Sequence, residues 1–397
     1  MNVAQGIRDR VAIVGMGCTR FGELWDKGPE DLLVEAVTEA LADAGIGPEK
    51  VDAYWLGTLS SGNSGLTLSV PLKTRYKPVT RVENFCATGS EAFRNAAYAV
   101  AAGVYDVVVA VGVEKLKDSG YSGLVANLDA ADRTGPNLTA PAAFALLAPA
   151  YFAKYGLDPR HGKEVLARIA WKNHKNGALN PRAQYQKEVP MDVILKAPMV
   201  AEPLGVYDCS GVADGAAAAV IVRAEDARRF RPDPVYVKAM AVAAGPGHGG
   251  LHQDYDFTTI RENVHAAQEA YRQAGITDPR RQLDLAEVHD CFTPTELILY
   301  EDLGFSERGK GWQDALSGVF DLGGELPVNP DGGLKSFGHP VGASGLRMMY
   351  EVYLQLQGRA GERQIPGARL GLTHNLGGLP WQSVAFVSIL GREPGAP

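Results

Sequence analysis

Four cysteines in 397 residues, at positions 18, 86, 209 and 291, leave little from which to build a disulfide scaffold or a zinc ribbon, because no Cys-x-x-Cys pair and no dense cluster occurs. Such usage fits a reducing compartment. Positive charge is also scarce: 39 Lys and Arg stand against 46 Asp and Glu, a formal charge of -7. That balance argues against a general binder of nucleic acid or anionic membranes and leaves room only for a local basic pocket. Long apolar runs are missing too. The stretch from 11 to 16 is too short for a signal segment or a membrane span and is broken by Gly15 and Gly17, so it reads as a buried strand. The C-terminal residues 392 to 397 carry no peroxisomal tripeptide. The expectation is therefore a cytoplasmic protein with neither membrane nor nucleic acid as partner. Glycine, by contrast, is in surplus: 46 residues without a strict period. That excess needs a reason.

Apolar, β-branched strands alternate with amphipathic helices, which predicts an α/β protein with helices packed on its sheets. The opening unit reads as a strand over 10 to 19, a helix over 30 to 44, a strand over 53 to 59, a helix over 91 to 102 behind Cys86, and a strand over 104 to 113. From about 115 to 203 the rhythm breaks into helices at 142 to 154 and 163 to 177 with polar, Pro-containing connections, the mark of an inserted loop domain. Strands resume at 216 to 222 and 235 to 244. The chain also repeats itself. Residues 35 to 46, EAVTEALADAGI, return in kind at 265 to 276 as HAAQEAYRQAGI, each followed by a short loop, an Asp (Asp52, Asp284) and a strand. In both copies glycine falls where a helix closes on a left-handed residue. A second pair, CATGSEAFR from 86 and PVGASGLR from 340, places small residues at the start of an apolar helix beside a reactive side chain. Two related halves imply a site at their junction. They divide the chain into an N-terminal half (1–115 plus 204–245), a loop domain (116–203) and a C-terminal half (246–397).

Four places carry chemistry. Cys86 precedes a helix, where free N–H groups and the positive end of the dipole favour a thiolate and can bind an oxyanion; the alternative is a small buried hydrophobe. His339 stands in the 17-residue segment 329–345, five of whose residues are glycine, an arrangement suited to close backbone approach; there it can take the Cys86 proton. His289 and Cys291 lie two apart at a strand end, facing one way in an extended chain, against the alternative of a hydrogen-bonded core histidine. In LTHNLGGL, 372 to 379, glycines after a strand offer N–H groups to developing negative charge. No metal site is expected. Lesser candidates are the Gly-rich loop 245–252, which lacks the Lys and Ser/Thr of a phosphate loop and better suits a tunnel wall. His161 and His174 read as solvated helix positions, residues 171–175 as a source of positive charge for phosphates, and Cys18 and Cys209 as buried structural residues.

With these motifs in place, the chain resembles the thiolases, and within them the sterol carrier protein-type branch. GHPVGASG at 338–345 and SGVADGAAA at 210–218 are similar to that family's motifs, and HDCF at 289–292 is similar to the branch-specific one, while Asn375-Leu-Gly377 stands where the commoner thiolases carry a second catalytic cysteine. The resemblance runs from about 10 to 392. It implies the thiolase fold, two homologous βαβαβαββ halves in α-β-α-β-α layers with an inserted loop domain. It also implies a ping-pong acyl transfer on coenzyme A esters with no permanently bound cofactor. Cys86 is then the nucleophile, His339 its base and Cys291 the acid/base. His289 with His339, and the amides of Cys86 and Gly377, form two oxyanion holes, and Ser210 and Gly211 contact coenzyme A. A homodimer or dimer of dimers is implied. Two other functions stay open: a retro-aldolase or specialised acyltransferase on the same fold, working with a small zinc-ribbon and OB-fold partner, and a non-enzymatic acyl-CoA or lipid carrier.

Overall fold

The structure, a computed structural model, describes residues 6–118, 139–246 and 255–395. Residues 247–252 of the Gly-rich loop lie outside them. In chain order the strands are β1 (Val11–Cys18), β2 (Ala53–Gly57), β3 (Val79–Val82), β4 (Val107–Glu114), β5 (Met199–Ala201), β6 (Leu204–Gly205), β7 (Gly215–Arg223), β8 (Val235–Ala244), β9 (Leu285–Glu287), β10 (Leu370–Leu379) and β11 (Gln382–Gly391). Nine of them form one mixed sheet in the order β3-β2-β4-β7-β1-β8-β11-β10-β9, and β5 and β6 make a separate small hairpin.

The duplication read from the sequence is visible in that order. In the first half β1 pairs antiparallel with β7, β7 antiparallel with β4, and β4 parallel with β2. In the second, β8 pairs antiparallel with β11, β11 antiparallel with β10, and β10 parallel with β9. Where β3 adds to β2, a single parallel bridge from Val328 adds to Ala286 of β9. Within the sheet the halves join at Ala12 with Tyr236 and Ile13 with Val235. The repeated helices are Pro29–Asp43 and Arg261–Ala274, which close on Gly45 (φ 68°) and Gly275 (φ 76°) in the left-handed region, as glycine permits. The repeated aspartates do equivalent work. Asp52 accepts the Asp106 and Val107 amides at 2.9 Å each, and Asp284 accepts those of Arg369 and Leu370 at 2.8 Å each, fixing the starts of β4 and β10.

Strands buried on both faces read as unbroken apolar runs, and alternate residues fill different cores. Val108 and Ala110 join a central core that also holds Met349 and Phe386 of the second half, whereas Val109 and Val111 join an outer core with Leu33 and Ala36 of the Pro29–Asp43 helix. On the far side Val387 and Leu372 pack with Ala266 and Ala270 of the Arg261–Ala274 helix. Helices Thr88–Ala101 and Ser344–Leu356 occupy the middle, and the latter packs on strands of both halves. The layers are thus α-β-α-β-α. The middle pair meets through glycines: a Cβ on Gly89 would lie 2.7 Å from the Gly342 carbonyl oxygen, and one on Gly345 would lie 2.2 Å from Ser90 Oγ. This close approach accounts for part of the glycine surplus.

Some elements differ from the expectation. The segment over 142 to 154 is two helices, Ala140–Ala145 and Leu147–Tyr155, and the next helix runs Pro159–Ala178. Strand β3 and the short helix Leu66–Leu72 were not foreseen, since β3 is a four-residue edge strand with no fully buried residue and carries little pattern.

Candidate active site

Cys86 lies two residues before the helix Thr88–Ala101, on a tight turn in which Thr88 Oγ1 accepts the Asn84 amide at 2.8 Å and Phe85 adopts φ 50°. A non-glycine residue held in that region stores strain, here next to the half-buried thiol. Opposite it stand two buried histidines. Cys86 Sγ and one nitrogen from each of His289 and His339 all lie within 4.8 Å of one another, and the two imidazoles meet edge to face at 5.3 Å between centroids.

The orientation of His339 follows from its partners. Its Nδ1 lies 2.7 Å from Ser344 Oγ, which donates its only hydrogen to the Pro340 carbonyl at 3.0 Å. The Ser344 oxygen is then the acceptor, Nδ1 carries the proton, and the unpartnered Nε2 presents a lone pair. Burial and the nearby Arg347 charge pull the His339 pKa down to about 3. His289 is lowered as well, by burial first and then by His339, His374 and Arg347. Both rings are neutral near pH 7.

His289, Asp290 and Cys291 occupy the connection between β9 and the helix Thr293–Asp302 rather than the strand itself. Cys291 is 3% exposed, with Sγ 3.7 Å from Thr295 Oγ1. Burial raises its thiol well above the usual range, and its closeness to Cys86 adds to this. Asp290 is the residue of this motif to which the sequence reading gave no role. Its carboxylate accepts the Leu334 amide (2.6 Å), the Lys335 amide (3.2 Å) and Asn173 Nδ2 (2.7 Å), tying the loop-domain helix to the segment leading into His339.

One expectation changes. The helix terminus does not hold Cys86 as a thiolate. Burial pushes the thiol up to about 12, the carboxylates of Glu114 and Glu83 push the same way, and the amides of Cys86 and Gly378 counter them only in part. Gly377, beside Gly378, stands opposite Val384 in the sheet, and a Cβ there would lie 2.5 Å from the Asn84 carbonyl oxygen and 3.2 Å from the Cys86 nitrogen, so it packs directly on the Cys86 turn.

Ser210 and Gly211 sit against this cluster: the Ser210 amide donates to the Cys291 carbonyl at 2.8 Å and the His339 amide to that of Gly211 at 3.0 Å. They also line a cleft of about 850 Å³, whose wall includes Lys117, Lys187, Lys335 and Tyr185. His174 belongs to that wall and is 3% exposed, not solvated; burial and the Lys335 charge pull its pKa down to about 4. His161 is exposed and pairs with Glu164. Lys172 is used internally, 2.8 Å from Glu296, and Lys175 lies over the Trp171 ring. Cys18 is buried, whereas Cys209 is half-buried and lines the cleft. Asn375 accepts from Ser90 Oγ at 2.6 Å and bridges the two middle helices. His374 and Glu114 escaped the sequence reading. The one available signal was a lone carboxylate ending the apolar run of β4.

Comparison with known proteins adds a family. Residues 11–225 match the thiolase N-terminal domain and residues 243–392 the thiolase C-terminal domain-like model. The chain is 40% identical to an acetyl-CoA acetyltransferase of Methanothermobacter thermautotrophicus, over 93% of this chain and 96% of that one. It is 33% identical to human sterol carrier protein 2, over 93% of this chain and 70% of the other. A solved structure described as "Ltp2-ChsH2(DUF35) aldolase" superposes with a TM-score of 0.84 at 27% identity, covering 97% of this chain and 98% of that one. With family models matching most of its length and a relative this similar end to end, the chain belongs to the thiolase family.

Proposed function

We propose that this protein, an acyltransferase of thiolase type, cleaves a 3-oxoacyl-CoA with coenzyme A, or runs the reverse condensation, through an acyl-Cys86 intermediate. The observation that carries this reading is the meeting of one thiol and two neutral imidazoles within 4.8 Å beside a cleft large enough for a thioester arm. The Cys86 S–H proton passes to the free Nε2 of His339 while the sulfur bonds to the keto carbon. Because the thiol sits high and the imidazole low, the transfer accompanies S–C bond formation rather than preceding it. The C2–C3 bond then breaks, its electron pair forms the thioester enolate, and Cys291, held protonated by burial, gives C2 its proton. The His339 Nε2–H, now a donor, and His289 face the enolate oxygen; the amides of Cys86 and Gly377 serve the tetrahedral intermediate. Each such donor contributes about 2.7 to 4 kcal/mol. Attack of coenzyme A on acyl-Cys86 releases the second product.

Ser210 and Gly211 are assigned to the coenzyme A arm, with Lys117 and Lys187 on the phosphate side. The division into two halves and a loop domain belongs to this reading, as does a homodimer, supported by the exposed edge strand β3 beside Leu66, Val70 and Tyr76. The likeness to the aldolase favours a second reading, carbon–carbon cleavage without an acyl-cysteine, together with a separate partner protein. Intact-protein mass spectrometry after incubation with acetyl-CoA separates the two: a +42 Da adduct absent from Cys86→Ser is expected (about the mass of an acetyl group replacing hydrogen, as nucleophilic catalysis requires). Turnover of a β-hydroxyacyl-CoA with no adduct would establish the aldolase instead.

A further inference from the structure

Glu114 closes β4 and is fully buried, yet among the described residues no cation pairs with it. Its neighbour Lys115 is committed elsewhere, 2.8 Å from Asp214. Seven donors surround the carboxylate instead. Oε1 accepts from Thr58 Oγ1 (3.1 Å), Ser60 N (2.9 Å), Ser60 Oγ (3.1 Å), Ser61 N (3.0 Å) and Ser61 Oγ (2.7 Å). Oε2 accepts from Leu59 N (2.9 Å) and Gly342 N (3.1 Å). Four of these partners are backbone amides and three are hydroxyls, so dipoles rather than a cation surround the group.

The Gly342 contact crosses from one half of the chain to the other. Gly342 belongs to the turn that carries His339 and Ser344. A Cβ at this position would lie 2.5 Å from the Val113 carbonyl oxygen and 3.0 Å from Glu114 Oε2, so turn and strand are fitted without slack. The Gly342 carbonyl in turn packs on Gly89, three residues past Cys86. Glu114 therefore touches the base's turn directly and the nucleophile's helix through one residue. We propose that Glu114 is a positioning residue with two separable effects on the proposed acyl transfer: it anchors the His339 turn to the 58–61 loop, and its charge, paired with no cation among the described residues, opposes charge on Cys86 before substrate binds. This rests on the reading of Cys86 as nucleophile. The charged and titratable groups facing Cys86 are Glu83 from its own turn, Glu114 from β4, and the neutral His289, His339 and Cys291 from the second half. Glu114 is the larger of the two acidic influences. A cysteine kept as thiol until substrate arrives is guarded against stray electrophiles, at a cost in resting nucleophilicity.

Two variants separate the effects. Glu114→Gln removes the charge, and Glu114→Asp keeps it but withdraws the carboxylate from Gly342. Iodoacetamide labelling of Cys86, followed by peptide mass spectrometry across pH 6 to 11, needs no substrate. The midpoint is expected to fall by at least about one unit in Glu114→Gln, a tenfold rise in labelling at neutral pH, with the plateau rate unchanged, and to stay at the wild-type value in Glu114→Asp. Both variants should lose kcat at least tenfold with KM little changed. An unshifted midpoint in Glu114→Gln would overturn the charge effect, and a wild-type kcat in Glu114→Asp the anchoring. Generalised loosening would raise labelling of Cys18 and Cys209 as well, and that outcome also counts against the proposal. Failure to form an acyl-Cys86 adduct would remove the thiolase reading while leaving the midpoint measurement intact.

Discussion

In the N-terminal half, the helix behind Cys86 leaves Arg94, Asn95 and Tyr98 at least partly exposed, and the partly exposed Arg94 pairs with the buried Glu91 at 2.6 Å. In the C-terminal half its counterpart Ser344–Leu356 buries every residue, Arg347 and Glu351 included. Arg347 bonds to Glu287 at 2.6 Å and to Asp331 with both partners fully buried, and Glu351 pairs with Arg363 at 2.8 Å. One strand order thus carries two charge distributions. The first half places Cys86 near Glu83 and Glu114, neither of which pairs with a cation among the described residues. The second supplies neutral bases on a buried ionic frame. Duplication repeats the scaffold, and the chemistry comes from what differs.

The sharpest way to break the comparison is at the nucleophile: Cys86→Ala should reduce acyl transfer on the order of 10⁴-fold or more while far-UV circular dichroism stays unchanged. His339→Ala, on the other side, should cost about 10²- to 10⁴-fold in kcat/KM, the range of a general base, and retain slow acylation of Cys86 at high pH. The ionic frame comes next. Arg347→Met leaves Glu287 and Asp331 buried without a partner and should lower unfolding free energy by about 3–5 kcal/mol in urea titrations. A pH effect follows from His374, whose pKa burial pulls down to about 3 and whose Nε2 lies 2.9 Å from Asn263 Oδ1. The unfolded chain takes up this proton below pH 6.5 and the folded protein does not, so stability is present above 6.5 and lost as pH falls toward 3. In His374→Gln the loss between pH 7 and 5 should shrink by about 2 kcal/mol. Asp290 and Asp302, both pushed up to about 6 by burial, act in the opposite sense; Asp302 shares Asn263 with His374, and glutamine is chosen because its amide can still donate to Asn263 Oδ1. The smallest effect belongs to Arg94→Ala: about 1 kcal/mol, because the guanidinium is partly exposed although its partner Glu91 is buried. A loss comparable to that of Arg347→Met would erase the contrast.

Much of this was legible in the sequence because the informative residues are local. Glycine after alanine at 45 and 275 announced helix ends, repeated aspartates at 52 and 284 announced strand starts, and Cys86, His289, Cys291 and His339 stood in short distinctive segments. What stayed hidden depends on contacts far apart in the chain. Glu114 meets Gly342 across 228 positions, and Asp290 meets Asn173 across 117. Nor does a helix-capping position reveal that burial and two carboxylates outweigh the dipole at Cys86. His174 looked solvated because its neighbours in sequence are polar, and it is the fold that brings Tyr185 and Tyr207 against it.

The helix Ser344–Leu356 has no exposed residue and leans on strands from both halves. Its thirteen residues therefore gain their burial only when the strands of both halves are assembled, and neither half has a complete interior without the other. The two sequence domains are one cooperative unit in folding. Denaturant transitions followed by the tryptophans and by far-UV signal should coincide, and a chain cut between β7 and β8 should regain structure only when both pieces are present.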